Sequence, residues 1–398
     1  MKNKLKKKII KKKILCFVNY YLPGFRSGGP VRTISNIVDQ LGDEFEFMIV
    51  CSNHDAGETK LYQNIIEDGW QNIGKAKVYY ASKKTINFRG ITKLLNETKY
   101  DILYLNSFFN YNFSILPLLV IWLKIRQKKP CVIAPRGEFS PGAMKINYLK
   151  KKYYLCLVKI IGLYQNLNWQ ASSSHEKNDI INVMGRIAKY IYIAPNIVKT
   201  KISDNKKKIK LRKPGPLRLI FLSRISPKKN LKFFLKVLLK IDAKIKFTIY
   251  GPKEDSAYWD QCLNVIDKLP SNINIKIKKE VSNEQIYNVF KKHDLFVFPT
   301  LGENFGHVIF ESLEASTPVL VSDQTPWKSN YKSGLQTLPL DEDKWVNVIK
   351  KWSKFNDNML TKKRDEAFKY ILNYKISNKS LKKNKELFIS VLNNKNNV

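Results

Sequence analysis

Short apolar runs, each closing on a polar or glycine-bearing stretch and followed by apolar residues at helical spacing, repeat along this chain. A first series lies at 14–18, 45–50, 78–80, 102–105, 131–134, 169–171 and 191–194. A second, at 217–222, 245–250, 273–277, 295–300 and 319–321, begins after the Lys-rich stretch 199–216, which closes on Pro214-Gly215-Pro216. Strands buried on both faces read as continuous apolar runs, and alternation with helices makes their sheets parallel. At 398 residues, 44% of them apolar, the chain is long for one core and suits two α/β domains. The expected division is 1–198, a linker over 199–216, 217–374, and a helical end over 375–398.

The second series contains the most chemically specific stretch, 299–326, where Glu303 and Glu311 flank seven residues, NFGHVIF. The run 295–300 predicts a strand, and Val308, Ile309, Leu313 and Ala315 fit a helix with one face inward. Glu303 then falls in a loop at the carboxyl end of a strand, where open α/β sheets bind ligands. The amides of Phe305, Gly306 and His307 open the helix, where free N–H groups and the dipole favour a phosphate. Two acids around an anion site suit a sugar nucleotide: hydroxyls for the carboxylates, phosphates for the amides. An ordinary amphipathic helix with solvated acids fits the same spacing. Earlier in this half, Arg224 and Lys229 sit in the loop between the run 217–222 and the helix of Leu231, Phe234, Leu235 and Leu238. Two cations so placed can clamp a diphosphate.

These residues resemble the Glu-X7-Glu signature of retaining glycosyltransferases of the GT-B fold, family 4 (glycosyl transferases group 1). The resemblance implies two Rossmann-like domains with parallel sheets facing each other across a cleft, the donor held by the second domain and the acceptor by the first. It also implies that Glu303 lies beside the donor sugar and acts in catalysis, that Glu311 binds the ribose, and that Arg224 and Lys229 hold the diphosphate. Phe305, Gly306 and His307 join the donor site. So do Gly28 and Gly29, whose loop in the family covers the donor phosphates and acceptor. Chains of this fold commonly cross back to the first domain at their end, a role that falls to 375–398. The expected reaction is metal-independent hexosyl transfer with retention, needing no cofactor, from a UDP- or GDP-sugar.

The first half resembles the family in layout. Its runs end in polar residues, including Ser52-Asn53-His54-Asp55 and Asn106-Ser107, and the run 131–134 delivers PRGEFSPGAMK. Arg136, Glu138 and Asn106 are the candidate acceptor contacts, and Arg136 is also a catalytic candidate. Many family 4 enzymes carry His where this chain has Arg136. Arginine does not deprotonate in proteins, so it cannot be a general base. It can hold a phosphate or carboxylate, as in a diphosphate-linked acceptor, or it can close a loop.

Lysine and arginine number 71 against 33 acids, a net charge of +38. Such a charge calls for an anionic partner, although Lys, Asn and Ile abound throughout and a compositional bias explains part of it. The segment 145–163, KINYLKKKYYLCLVKIIGL, interleaves Lys with apolar and aromatic residues and suits an anionic membrane surface, with a solvated helix face as the competing reading. With the basic tail MKNKLKKKIIKKK it places the protein in the cytoplasm, peripheral on the inner face of the cell membrane. The acceptor expected there is a lipid-linked or other saccharide of surface polysaccharide, lipopolysaccharide or capsule assembly. The apolar stretch 115–125 is the length of a core helix. The cysteines Cys16, Cys51, Cys131, Cys156 and Cys262 have no paired or metal-like spacing and read as free thiols, most of them buried. Asp341-Glu342-Asp343 matches an Asp-X-Asp metal motif but precedes an apolar helical pattern, so it reads as a helix cap. No metal site is expected. A basic nucleic-acid-binding protein is a rival reading, but cations spread through the chain without a recognition motif make nucleic acid an unexpected partner. A GT-B-fold sugar-nucleotide epimerase is a second rival.

Overall fold

A computed structural model describes residues 11–123, 129–198, 215–329 and 333–394. The basic tail at 1–10 and nearly all of the expected linker 199–216 lie outside the described residues. The chain forms two compact units, one of Met1–Phe139, Asn147–Val198 and Lys379–Val398, the other of Ser140–Ile146 and Lys199–Asn378.

Unit 1 holds strands β1 (Lys12–Phe17), β2 (Phe45–Ser52), β3 (Trp70–Ile73), β4 (Ala76–Ala81), β5 (Ile102–Leu105), β6 (Cys131–Ile133), β7 (Asn168–Ala171) and β8 (Tyr190–Ile193). They form one sheet in the order β3-β4-β2-β1-β5-β6-β7-β8. All neighbours are parallel except β3, which pairs antiparallel to β4 at the edge. The helices between them are α1 (Gly29–Leu41), α2 (Phe88–Glu97), α3 (Leu116–Trp122), α5 (Tyr148–Ile160) and α6 (Ser174–Met184), while the short α4 (Pro141–Lys145) belongs to unit 2. The helix expected at 115–125 is shorter than that. A π-helical turn, Tyr111–Ile115, runs into α3. Pro117 stands just past the junction of the two and, having no N–H, cannot donate the main-chain bond that its helical neighbours make.

Unit 2 holds β9 (Leu217–Leu222), β10 (Ile245–Tyr250), β11 (Ile273–Lys278), β12 (Leu295–Phe298), β13 (Val319–Ser322) and β14 (Leu335–Leu338), all parallel, in the order β11-β10-β9-β12-β13-β14. Its helices are α7 (Leu231–Leu239), α8 (Ser256–Ile266), α9 (Asn283–Lys291), α10 (His307–Glu314), α11 (Glu342–Ser353) and α12 (Asp357–Ser377). The last helix, α13 (Ser380–Asn393), packs Leu387, Phe388 and Val391 into the core of unit 1 beside Phe45, Phe47 and Tyr104.

Both sheets share one topological consequence. From β9 the chain builds outward through β10 and β11, then returns to lay β12 on the other side of β9. In unit 1 it builds from β1 through β2 and β4, then returns to lay β5 on the other side of β1. Loops leaving the carboxyl ends of two such strands diverge and open a crevice for a ligand.

Candidate active site

At the edge of unit 2, three loops leave β9, β10 and β12 and are tied together by main-chain bonds. Ile225 donates to Pro252 O (2.9 Å) and Glu254 donates to Ile225 O (3.2 Å), joining the first two loops. Leu301 N (2.8 Å) and Thr300 Oγ1 (3.1 Å) both donate to Lys228 O, joining the first to the third. Gly251 makes the first junction possible. A Cβ there would stand 1.8 Å from Ser223 O, and its φ of 141° lies where side chains are strained.

This lacing brings Lys229 and Glu303 together across the β9–β12 switch point. The ammonium is buried and ion-paired with a Glu303 carboxylate oxygen, and it lies 5.4 Å from the centre of the Phe298 ring. Glu303 N donates to Gln324 O (3.1 Å), which fixes the loop beyond β12. Arg224 stands in the same β9 loop, half-exposed, with its guanidinium 2.5 Å from Glu254. Gly306, at φ 76°, caps α10 in the left-handed conformation, and a Cβ there would meet Ile309 Cδ1 at 2.8 Å. The Phe305 ring is buried between the His307 ring (4.8 Å) and Trp327 (5.4 Å), and the Phe305 carbonyl accepts the Trp327 indole N–H. His307 is itself buried, its ring turned onto Phe305. Glu311 is half-buried on the next turn of α10.

At the edge of unit 1, the candidates lie in the loops after β1, β5 and β6. Gly28 takes φ 67° and ends the loop that enters α1. Asp55 braces that loop, accepting from Phe25 N (2.9 Å) and Arg26 N (3.2 Å), while Arg26 reaches Glu58 at 2.5 Å. Gly29 begins the helix. Arg136 is half-buried at φ 56° and donates to neutral oxygens: Asn106 Oδ1 (2.7 Å), Asn196 Oδ1 (3.1 Å) and the Tyr104 hydroxyl. Behind it, Gln170 accepts from Tyr104 and donates to Asn384 Oδ1 (3.0 Å) on α13. Burial raises the Tyr104 hydroxyl to about 12, against the lowering pull of Arg136, so the phenol stays neutral. Glu138 accepts from Ser107 Oγ (2.6 Å), Phe108 N (2.6 Å) and Phe109 N (3.0 Å). Burial pushes its carboxyl upward while these bonds and Lys151 pull it down. Its oxygens brace the turn after β5.

Asn106 and Arg136 are thus brought together in unit 1, and Lys229 and Glu303 in unit 2. Sequence reasoning missed Glu254, Asn196 and Gln170, whose roles follow from which strands are neighbours. Asp55 was visible as part of a polar strand end. Elsewhere, Asp341 Oδ1 caps α11 by accepting from Lys344 N (2.9 Å), and Glu342 and Asp343 both pair with Lys240. Cys16, Cys51, Cys131 and Cys262 are buried free thiols, and Cys156 is exposed.

Residues 202–369, which include all of the unit 2 site, match the family described as glycosyl transferases group 1. The chain carries a glycosyl transferases group 1 domain. Solved structures with the same fold include Anabaena Alr3699/HepE in complex with UDP and glucose, 14% identical, with a TM-score of 0.68, covering 96% of this chain and 99% of that one. The sucrose-phosphate synthase of Thermosynechococcus elongatus is 13% identical, with a TM-score of 0.70, covering 96% of this chain and 100% of its own. At these identities the likeness is one of fold, and the two parallel-sheet α/β domains of this chain have the GT-B architecture. A relative described as an uncharacterized 41.2 kDa protein in the cps region of Klebsiella pneumoniae is 23% identical over 331 residues, 81% of this chain and 86% of that protein.

Proposed function

We propose that this chain transfers a sugar, with retention and without a metal, from a UDP- or GDP-sugar to a hydroxyl of a lipid-linked saccharide in surface or capsular polysaccharide assembly. The observation that carries the reading is the Lys229–Glu303 pair at the switch point of unit 2, beside Arg224 and the opening turn of α10. Departure of a nucleoside diphosphate develops negative charge, and preorganised cations and helix amides stabilise it as it forms. In the unliganded pair, Glu303 neutralises the buried ammonium. A donor diphosphate takes over Lys229 and leaves the Glu303 carboxylate to accept hydrogen bonds from the sugar hydroxyls. Glu311 serves the ribose, and the departing phosphate oxygen takes the proton of the attacking hydroxyl on the same face. HepE, described with UDP and glucose, supports the donor class, and the cps-region relative supports polysaccharide assembly.

The test is incubation with UDP- and GDP-sugars and isoprenoid-diphosphate-linked saccharides, with products read by mass spectrometry and the anomeric configuration by NMR. A new α-linked product from an α-configured donor, formed in EDTA, is the expected result. Inversion, or dependence on added magnesium, overturns the corresponding part. Donor turnover without a glycosidic product would favour a sugar-nucleotide epimerase.

A further inference from the structure

Helix α5 is apolar on two opposite faces, and the fold uses only one of them. Leu155 and Val158 are buried against unit 1. On the same side, the Tyr154 hydroxyl bonds that of Tyr164 (2.6 Å) and Lys151 lies 4.9 Å from the centre of the Phe109 ring. On the other side Leu149, Tyr153, Leu157 and Ile160 are 63%, 72%, 57% and 77% exposed. At 3.6 residues per turn, these four fall within about a quarter-turn of one another, opposite Leu155 and Val158. The same geometry puts Lys150 along one margin of the stripe and Lys152 and Lys159 along the other. No acidic residue occurs between Glu138 and Glu176.

We infer that this outer face of α5 is a docking surface for an anionic lipid bilayer. The helix lies in the plane of the interface, with Leu149, Leu157 and Ile160 in the acyl boundary, Tyr153 at headgroup level and the three lysines against lipid phosphates. Charge selects this occupant. A second copy of the chain would set the same lysine margins against each other, and like charges brought together at an interface oppose association. Apolar side chains with cations on both flanks match a surface that is apolar below and anionic above. Lys151, turned inward to Phe109 and Glu138, takes no part. The inference goes beyond the transferase reading and does not depend on which donor is used.

Vesicles of phosphatidylglycerol with phosphatidylcholine, and of phosphatidylcholine alone, distinguish the outcomes in co-sedimentation with the full chain. Binding to the anionic vesicles is expected to be at least about tenfold stronger, and to weaken as salt rises from about 0.1 to 0.5 M. Lys150→Glu/Lys152→Glu/Lys159→Glu and, separately, Leu157→Ser/Ile160→Ser are each expected to lower it about tenfold or more. These side chains face solvent, so unchanged thermal melting confirms that the variants fold. Equal binding to both vesicle types overturns the inference, as does full binding by the Leu157→Ser/Ile160→Ser variant. A dimer in solution that this variant dissolves would assign the face to a second copy instead. UDP affinity, measured calorimetrically in the same variants, reports on the donor site separately and is expected to stay unchanged.

Discussion

Arg136 adopts a left-handed backbone conformation and places a guanidinium among neutral oxygens, which accounts for the presence of an arginine at this point in the loop. The planar fork serves Asn106 from Nε and Nη2, Asn196 from Nη1 and Tyr104 from Nη2, a spread over three nitrogens that the single nitrogen of an ammonium does not match. Arg136→Ala is expected to lower stability by about 2 kcal/mol or more, because buried acceptors lose their donors, and Arg136→Lys is expected to recover little of it. Urea denaturation measures both, and unchanged midpoints would remove the structural role and leave only an acceptor-binding one. For the unit 2 pair, Lys229→Ala is expected to weaken UDP binding by about 1.5–3 kcal/mol, the range for a charge-assisted bond. Glu303→Gln is expected to cut turnover while leaving UDP affinity equal or tighter, since the carboxylate competes with phosphate for the same ammonium. Calorimetry that finds weaker UDP binding in Glu303→Gln contradicts that competition. Arg224, Lys229, Glu303 and Glu311 were legible in the sequence as residue types at a spacing. The pairing of Lys229 with Glu303 was not, because it depends on β12 returning beside β9.

Among the elements, most strands were legible, the half-exposed β8 and β11 included, and the polar edge strands β3 and β14 were not. β12 (LFVF) is a continuous apolar run, β9 (LRLIFL) and β10 (IKFTIY) are mostly apolar, and the sequence bounds of all three nearly match their structural ones. β3 (WQNI) and β14 (LQTL) are edge strands with polar residues and partial exposure, so neither period nor apolarity marks them. Gly251→Ala is expected to push apart the β9 and β10 loops, costing about 1–3 kcal/mol of stability and lowering UDP affinity through Arg224. Equal UDP affinity in a folded Gly251→Ala chain would separate that junction from the donor site. His293, at the end of α9, links the same unit to pH. Its buried ring donates from Nδ1 to Val289 O (2.8 Å), and burial, with Arg218 and Arg364 nearby, lowers its pKa from 6.5. The unfolded chain therefore takes up the proton more readily. The stability tied to the neutral ring is whole above about pH 6.5 and is lost as pH falls toward the depressed value. His293→Asn is expected to lower stability at neutral pH but to flatten this acid-side decline, read from urea midpoints at a series of pH values. A decline of the same slope in the variant assigns it to other groups.

On the scale of the whole molecule, the order of the chain and the membership of its two units differ at the end. Residues after Asn378 leave the second unit, and α13 completes the core of the first. Phe388 is fully buried, with its ring 5.6 Å from Phe45, 6.1 Å from Phe47 and 5.5 Å from Tyr104. Four residues earlier, Asn384 donates to Pro195 O (2.7 Å) and accepts from Gln170, so α13 also backs the network that holds Arg136. Such a helix cannot be a dispensable tail. Phe388→Ala is expected to destabilise unit 1 by about 3–5 kcal/mol, the cost of emptying an aromatic site in a packed core. Hydrogen exchange followed by mass spectrometry resolves where that loss falls. Peptides from β1, β2 and β5 should lose protection, while those from β9 and β12 keep theirs, since neither strand packs on the altered ring. UDP binding should survive in the variant, because every donor candidate in unit 2 stands on a sheet that α13 does not complete. Uniform loss of protection over both sheets would instead mean that the two units unfold as one cooperative body. Unchanged protection in β1 and β2 would remove α13 from the core of unit 1 altogether.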